Sequence, residues 1–231
     1  GLAFAVLATA NAGGYRYGAS DQAFYIPAVY RALDARAFPR DGALIDVQAR
    51  LMLIDELAAW FVRTTALSLV ALFLAGYWLS LLSIWVGLAL ISERLYRNRW
   101  AGLALAAAFT LRYRVPRTSA NSFEPYFHPR MLAFGIGVTA IAAFMRRRPW
   151  ISVALVATSA VVHVTTGLWF AVLIGVAIVH ADARFRRLAV GGAAAAVALA
   201  AWMTVNGPLR GAWTTMDEVW RQAVSTKDSL F

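Results

Sequence analysis

Residues 66–91 read ALSLVALFLAGYWLSLLSIWVGLALI, an apolar run of 26 residues without a charged side chain. A helix of this length rises about 39 Å, enough to cross a hydrocarbon core of about 30 Å with some tilt. Charged residues flank the run, with Arg63 before it and Glu93 and Arg94 after it. The run therefore predicts a transmembrane helix.

The composition of the chain extends this prediction to a protein that crosses the membrane several times. Of the 231 residues, 61% are hydrophobic and 15% are charged, whereas soluble domains have about 45–50% apolar and roughly 25% charged residues. The sequence has no cysteine, which excludes a disulfide framework, a thiolate nucleophile and a zinc–thiolate site from it.

Other apolar runs lie on both sides of residues 66–91, and the longest of them is interrupted near its centre by a polar segment, His163–Gly167. Together they predict an all-α transmembrane bundle of about seven membrane segments, some of them short or re-entrant. The additional runs are residues 1–13, 100–111, 131–145, 150–179 and 188–205.

Between the first two membrane segments, residues 14–65 form a long mixed segment. Apolar residues at helical spacing beside charges predict two amphipathic surface helices in it, near 22–33 and 51–62. Residues 66–205 then form the membrane bundle and residues 206–231 a polar tail. We expect one transmembrane domain over residues 1–231, and we expect the chain to be a fragment of a longer protein because it starts within an apolar run and stops without a closing element.

The formal charge of +10 comes almost entirely from arginine, because Lys227 is the only lysine. These arginines flank the apolar segments, where basic side chains orient membrane helices and contact lipid phosphates. The predicted partner is therefore the lipid bilayer and not a nucleic acid.

Two membrane topologies fit the pattern. In the preferred one every apolar run crosses and residues 150–179 fold into a hairpin, so that three compact arginine clusters face the cytoplasm, as the positive-inside rule requires. In the other, residues 100–111 only enter the interface and residues 150–179 cross once. Both place residues 14–65 and the tail on the extracytoplasmic side. The clusters are Arg94/Arg97/Arg99, Arg146–Arg148 and Arg184/Arg186/Arg187.

A carboxylate at the start of the first polar segment is the strongest candidate for chemistry. Asp21 follows Ser20, and Gln22 and Tyr25 come shortly after it. An acid beside a membrane bundle is a functional-site hypothesis by default, because it can accept a proton from a sugar hydroxyl while Gln22 and Tyr25 bind the substrate. The alternative is that Asp21 caps the surface helix that begins near Gln22.

The segment 112–130 is the candidate anion site. Arginine binds phosphate oxygens with paired hydrogen bonds, and the segment also holds His128, a predicted substrate ligand. The alternative is that these arginines only fix topology and snorkel from helix ends. Tyr113, Phe123, Tyr126 and Phe127 fit interfacial anchors. The predicted lipid-phosphate ligands are Arg112, Arg114, Arg117 and Arg130.

His163 interrupts an apolar stretch, in the segment HVTTG. Polar groups at membrane depth occur where they line a cavity or pair internally. His163 is therefore either a further substrate ligand or one partner in a hydrogen bond between packed helices. The sequence has no phosphate loop and no zinc-protease motif, so no cofactor is predicted. No second acid stands close to Asp21, so a general base is favoured over a metal ligand at this position; a divalent cation held by Asp21 is the alternative.

Four segments resemble parts of the GT-C class of integral membrane glycosyltransferases and uncharacterised bacterial multi-pass proteins of similar architecture. They are YGASDQAFYIP at 17–27, FPRD at 38–41, FHPR at 127–130 and HVTTGLWF at 163–170. The resemblance implies a bacterial plasma-membrane enzyme whose active face is extracytoplasmic. It implies a polyprenyl-phosphate-linked sugar donor, with Asp21 as the catalytic base.

A non-enzymatic membrane protein is the alternative function, such as a segment of a transporter or flippase or an assembly subunit, because interrupted hydrophobic stretches also occur in transporters. Geometry separates the two functions. Convergence of Asp21, Arg130 and His163 on one outward-facing cavity favours the enzyme, whereas an Asp21 that only caps a helix and faces bulk water favours the alternative.

Overall fold

A computed structural model describes residues 1–49, 53–111, 121, 123–181, 183–207, 209–211 and 216–226, without the side chains of Gln48 and Arg184. The described residues are helical and contain no β-strand, so the predicted all-α class is confirmed for them. The α-helices are α1 Leu2–Asn11, α2 Gln22–Leu33, α3 Gly42–Ala49, α4 Ile54–Thr65, α5 Leu69–Tyr96, α6 Arg99–Phe109, α7 Pro129–Met145, α8 Pro149–Val162, α9 Val164–Ala181, α10 Arg186–Val205 and α11 Glu218–Ser225, and a short 3₁₀ helix spans Ala183–Phe185.

Three of these helices, α5, α9 and α10, are long and apolar enough to cross a membrane. Helices α1, α6, α7 and α8 are apolar but shorter, with 10 to 17 residues. The prediction of a membrane protein is therefore supported, while the number of seven segments and the side of each loop stay predictions.

Helix α5 is the 28-residue centre of the bundle. Ser68 caps its first turn by accepting a hydrogen bond from the amide of Ala71 at 3.2 Å, which satisfies one of the free N–H groups of a helix start. The helix ends at Tyr96 and is followed by Arg97, whose φ of 50° lies in the left-handed region. A helix over the predicted span 66–91 is thus confirmed; it begins at Leu69 and continues five residues beyond residue 91.

Helices α5 and α7 pack in the same direction. At one end the ring of Phe127, just before α7, lies against Gly76, where a Cβ would be 2.9 Å from it. At the other end Arg146 forms an ion pair with Glu93. Because α6 connects one end of α5 to the opposite end of α7, these two long helices can be parallel.

Small residues let the backbones of α5 and α7 approach closely. Gly135 of α7 faces Ile84, whose backbone nitrogen would lie 2.8 Å from a Cβ at position 135. Gly87 of α5 faces Thr139, whose backbone nitrogen would lie 2.9 Å from a Cβ at position 87. Such close approach through small side chains is typical of helix packing in membranes.

Helix α8 runs antiparallel to α7. Near its start Ser152 Oγ donates to the carbonyl of Ala140 at 2.8 Å, and near its end Ser159 Oγ donates to the carbonyl of Ala133 at 2.9 Å. Both serines are fully buried. These bonds satisfy polar side chains within an otherwise apolar interface and fix the register of the two helices.

The chain reverses direction at His163, as the hairpin interpretation predicts. His163 is extended, with φ −154° and ψ 104°, and ends α8. A Cβ on Gly167 would overlap the Cα of Ala160, although residues seven apart in a straight helix are about 10 Å apart. Further along α9, Phe170 packs on Gly137 of α7, so this part of α9 runs parallel to α7.

These directions place two arginine clusters, Arg94/Arg97/Arg99 and Arg146–Arg148, at the same end of α5 and α7, opposite to the end at which residues 127–128 and His163 lie. The preferred topology requires this, whereas the other would separate the two clusters. Which end faces the cytoplasm stays a prediction, as does the location of the third cluster.

Helices α3 and α4 both pack on α2. The predicted helix 22–33 matches α2, and the predicted helix 51–62 corresponds to α4, which starts and ends three residues later. Helix α3 has no counterpart among the predicted helices. Arg31 links α3 to α2 by pairing with Asp46 at 2.6 Å, and Arg63 of α4 donates to the carbonyl of Leu33 at the end of α2 at 3.2 Å.

The chain forms two compact units, residues 1–113 with 122–174, and residues 114–121 with 175–231. In the second unit α10 has no buried residue, and α11 is capped by Asp217, whose carboxylate accepts from the amide of Trp220 at 2.8 Å. The single transmembrane domain stays a prediction. All groups of the site described next belong to the first unit.

Candidate functional site

Asp21 starts α2 but does not cap it with its side chain. The loop from α1 approaches through Gly18 and Ser20, which both have positive φ, 79° and 51°. Asp21 itself is helical, with φ −61° and ψ −17°, and its side chain makes no capping hydrogen bond. The helix-cap interpretation of Asp21 is therefore wrong, and the carboxylate is directed elsewhere.

The Asp21 carboxylate is held by two side chains from the segment before α7. Its Oδ2 lies 3.0 Å from His128 Nε2 and accepts a hydrogen bond from the hydroxyl of Tyr126 at 3.3 Å. Among the described residues no donor binds Oδ1, and the side chain is 48% exposed. One carboxylate oxygen is thus anchored while the other is open to a ligand.

His128 is fixed in one tautomer by the start of α7. The backbone amide of Arg130 donates to His128 Nδ1 at 3.0 Å, so Nδ1 has no proton. In the neutral ring the proton is then on Nε2, which donates to Asp21. His128 is only 4% exposed, and its hydrogen bond orients Asp21. The predicted direct contact between His128 and a substrate would require the side chains that cover His128 to move.

Hydrogen bonding favours the ionised form of Asp21. The pKa of Asp21 is lowered from its ordinary value, chiefly by the hydrogen bond with His128 and further by Tyr126 and the charge of Arg130, while burial acts in the opposite direction. Stabilisation of a carboxylate by donors is the expected direction of such a shift. Asp21 is therefore a carboxylate at neutral pH.

Tyr25 is the predicted substrate ligand nearest to this pair. Its hydroxyl lies 3.4 Å from His128 Nε2, and the two rings meet edge to face with centroids 5.4 Å apart. Burial, together with the charge of Asp21, raises the pKa of Tyr25 to about 12. Its phenol therefore keeps its proton at neutral pH and remains available as a hydrogen-bond donor beside the carboxylate.

Arg130 forms an ion pair with a buried acid. Its NH2 nitrogen donates to Glu124 at 2.8 Å, with side-chain exposures of 29% and 5%. A buried carboxylate needs such a partner, since an unpaired charge in this environment is costly. The charge of Arg130 also acts on Asp21, so the predicted phosphate ligand does lie at the site, already paired with one acid.

The side chain of Gln22 links two segments of the chain by hydrogen bonds. Its Oε1 accepts from the amide of Gly18 at 2.7 Å, and its Nε2 donates to the carbonyl of Phe127 at 3.0 Å. The residue is fully buried. Instead of the predicted substrate contact, Gln22 therefore ties the loop before α2 to the segment before α7, the two segments that supply Asp21 and His128.

His163 lies at the reversal between α8 and α9 and completes the cluster. Its ring centroid is 6.0 Å from that of His128, in an edge-to-face arrangement. Its Nδ1 lies 2.9 Å from Thr166 Oγ1 and accepts from the Thr166 amide at 3.3 Å. Nδ1 of His163 thus caps the first turn of α9, and Nε2 of the same ring is available to a ligand.

The site also uses two residues, Tyr126 and Glu124, that are not among the site residues predicted from the sequence. The position of Tyr126 favours an interfacial anchor, yet its hydroxyl binds Asp21. Glu124 pairs with Arg130, and the sequence does mark it, because it is the only acid between Glu93 and Asp182. An isolated acid in an arginine-rich segment is a usable signal for a buried ion pair.

The three other predicted phosphate ligands, Arg112, Arg114 and Arg117, lie outside the described residues. The described part of the chain contains no group of three or more histidine, cysteine or acidic side chains that could hold a metal ion.

Comparison with known proteins finds no family model, no curated protein and no solved structure that matches the chain. The function is therefore inferred from the geometry of the Asp21 cluster, which comprises Asp21, Tyr126, His128, Arg130 and His163.

Proposed function

We propose that the chain is part of a membrane glycosyltransferase that moves a sugar from a polyprenyl-phosphate carrier to a hydroxyl acceptor. The observation that supports this most directly is the Asp21 carboxylate, oriented through Oδ2 by His128 and Tyr126 and open at Oδ1. A carboxylate restrained in this way beside a membrane bundle is suited to bind and deprotonate one hydroxyl group.

In the proposed step the acceptor hydroxyl binds Asp21 Oδ1 and attacks the anomeric carbon of the donor. The new carbon–oxygen bond forms as the bond between that carbon and the phosphate oxygen breaks. The hydroxyl proton passes to Asp21, and the bonding electrons leave with the polyprenyl phosphate. Attack from the side opposite to the phosphate inverts the configuration of the sugar.

A lowered pKa is compatible with Asp21 as the base. A free hydroxyl is far too weak an acid to give its proton to a carboxylate. As the bond to the anomeric carbon forms, however, the oxygen becomes positively charged and the proton becomes strongly acidic. Proton transfer late in the reaction is therefore downhill even to a carboxylate with a depressed pKa, and the lowered value keeps Asp21 ionised beforehand.

Positive charge at the same end of the bundle would stabilise the departing phosphate. Arg130 lies close enough to Asp21 to act on its pKa, and its guanidinium has further N–H groups besides the one that binds Glu124. Preorganised donors at the leaving group are among the largest contributions to catalysis.

The test is Asp21→Asn in the full-length protein, reconstituted with polyprenyl-phosphate-linked sugars. Asparagine retains the shape and cannot accept the proton, so we expect transfer to fall at least about a thousandfold, on the scale of a lost general base with misaligned substrate. Asp34→Asn is the matched control, because Asp34 pairs only with exposed Arg36 in the same segment. It should retain the activity of the parent protein.

Both variants should insert and unfold like the parent protein. Near-parental turnover by Asp21→Asn would refute the assignment of Asp21 as the base. Equal loss in Asp34→Asn would also count against it, because the effect would then be a general response of residues 14–65 to lost charge.

A further inference from the structure

A second charged site lies at the opposite end of α5 and α7. A cleft of about 300 Å³ is lined by Glu93, Arg94, Arg97 and Arg146. This volume is at the lower end of the range for small-molecule sites, about 300–1,000 Å³. None of these residues belongs to the Asp21 cluster, so the cleft is a separate feature of the bundle.

An ion pair and a hydrogen bond hold two of the arginines in place, and the cleft keeps an excess of positive charge. Arg146 pairs with Glu93, and Arg94 Nε donates to the carbonyl of Met145 at 3.1 Å. No carboxylate of the described residues pairs with Arg97, which follows the last residue of α5 and has a left-handed backbone conformation. Three guanidinium groups thus face one carboxylate, an excess that suits an anion with several oxygen acceptors.

The position of the cleft along the helices indicates a membrane interface. Gly76, beside Phe127, and Glu93 are 17 residues apart in α5, which corresponds to about 26 Å. This separation is close to the hydrocarbon thickness of about 30 Å. The cleft and the Asp21 cluster therefore lie at depths that fit opposite surfaces of a bilayer.

Exposed aromatic residues at the same end support this location. Trp100 and Trp150 lie in the first turns of α6 and α8, with 67% and 61% of their surface exposed. Tryptophan is enriched at the level of the lipid head groups. An anion that binds beside these residues from within the membrane surface is a lipid phosphate.

We infer that the cleft binds the phosphodiester head group of an anionic phospholipid. The guanidinium groups of Arg94, Arg97 and Arg146 would donate to the phosphate oxygens, while the acyl chains extend along the exposed apolar side chains of α5, such as Leu79 and Leu82. Basic pockets between membrane helices are a recognised way to bind acidic head groups. This inference does not depend on the proposed glycosyl transfer.

The experiment measures lipid binding to the full-length protein in detergent, by native mass spectrometry with phosphatidylglycerol and phosphatidylcholine. We expect a preference for phosphatidylglycerol in the parent protein. Arg94→Gln combined with Arg97→Gln should weaken that binding by about fivefold for each arginine removed. Arg40→Gln is the control, since Arg40 is exposed in the turn before α3 and should bind like the parent.

Two results would overturn the inference. The first is equal binding of both lipids by the parent protein. This comparison uses no variant, so it holds even if the double variant misfolds. The second is retention of phosphatidylglycerol by a folded double variant. Competition with inorganic phosphate distinguishes a lipid head group from free phosphate. If phosphate at the same concentration as the lipid displaces phosphatidylglycerol, the cleft is assigned to free phosphate. If phosphatidylglycerol stays bound, the cleft is a lipid site.

Discussion

The close contact between α5 and α7 makes one substitution especially informative. Gly135→Ala adds a single methyl group where the two backbones meet. That methyl would overlap Ser83 Oγ and would lie 2.8 Å from the backbone nitrogen of Ile84. Ser83 can rotate away, but the amide of Ile84 is fixed within α5. Ordinary contact begins at 3.4 Å, so the helices must separate by about 0.6 Å locally.

The expected net effect is a loss of stability. Overpacking a well-packed contact costs about 1–3 kcal/mol, while replacing glycine by alanine in a helix gains up to about 1 kcal/mol. The steric cost is the larger of the two, so Gly135→Ala should lower the free energy of unfolding by about 1–2 kcal/mol. The contact also sets the position of the α7 start, which holds His128.

The assay is equilibrium unfolding in mixed micelles of a mild detergent and sodium dodecyl sulfate, followed by circular dichroism. Gly175→Ala is the matched control because no atom lies within 4 Å of a Cβ at that position of α9. It should be neutral or stabilising by up to about 1 kcal/mol. If Gly135→Ala were as stable as Gly175→Ala, the close packing of α5 on α7 would be refuted.

Two further predictions concern titrating groups. His128→Asn should retain the cap of α7, since asparagine is a good cap, but should lose the bond to Asp21; we expect the pKa of Asp21 to rise and the acid limb of the pH–rate profile to move to higher pH, and an unchanged limb would contradict the role of His128. Burial, followed by the hydrogen bond with Glu56, raises the pKa of Asp55 from 3.8 to about 7. The folded state therefore binds more protons between these values, and stability should fall as the pH rises from about 4 to 7. Asp55→Asn should remove this fall in unfolding curves recorded across the range, and a fall of the same size in Asp55→Asn would exclude Asp55 as its source.

The sequence predicts those parts of the fold that depend on local pattern. Helix α2 begins and ends as its amphipathic spacing indicates, and the break in the apolar run falls at His163 because polar residues gather there. Helix α3 escapes prediction because Gly42–Ala49 has a weak amphipathic pattern and follows a segment rich in turn residues. Its contact with α2 includes the ion pair between Arg31 and Asp46, which the spacing of residues alone does not reveal.

The contacts of the site depend on residues that are distant in sequence. Asp21 and His128 are 107 residues apart, and their meeting requires α7 to run parallel to α5 and the loop before α2 to be tied down by Gln22. Sequence reasoning can identify Asp21 as an unusual acid. It cannot distinguish a carboxylate that caps α2 from one that faces another helix, because both need the same residue at the same position.

The start of α7 shows how a local rule of helix structure can orient a distant carboxylate. Pro129 is the first residue of the helix and has no N–H group, so Arg130 offers the first backbone donor. That donor binds His128 Nδ1, which leaves Nε2 to carry the proton and donate to Asp21. The order histidine, proline, arginine therefore determines the cap of α7 and the tautomer of His128, and it contributes to the lowered pKa of Asp21 through one continuous set of hydrogen bonds. A change that weakens the cap should act on Asp21 without touching it, because the proton on Nε2 is held there by the bond at Nδ1.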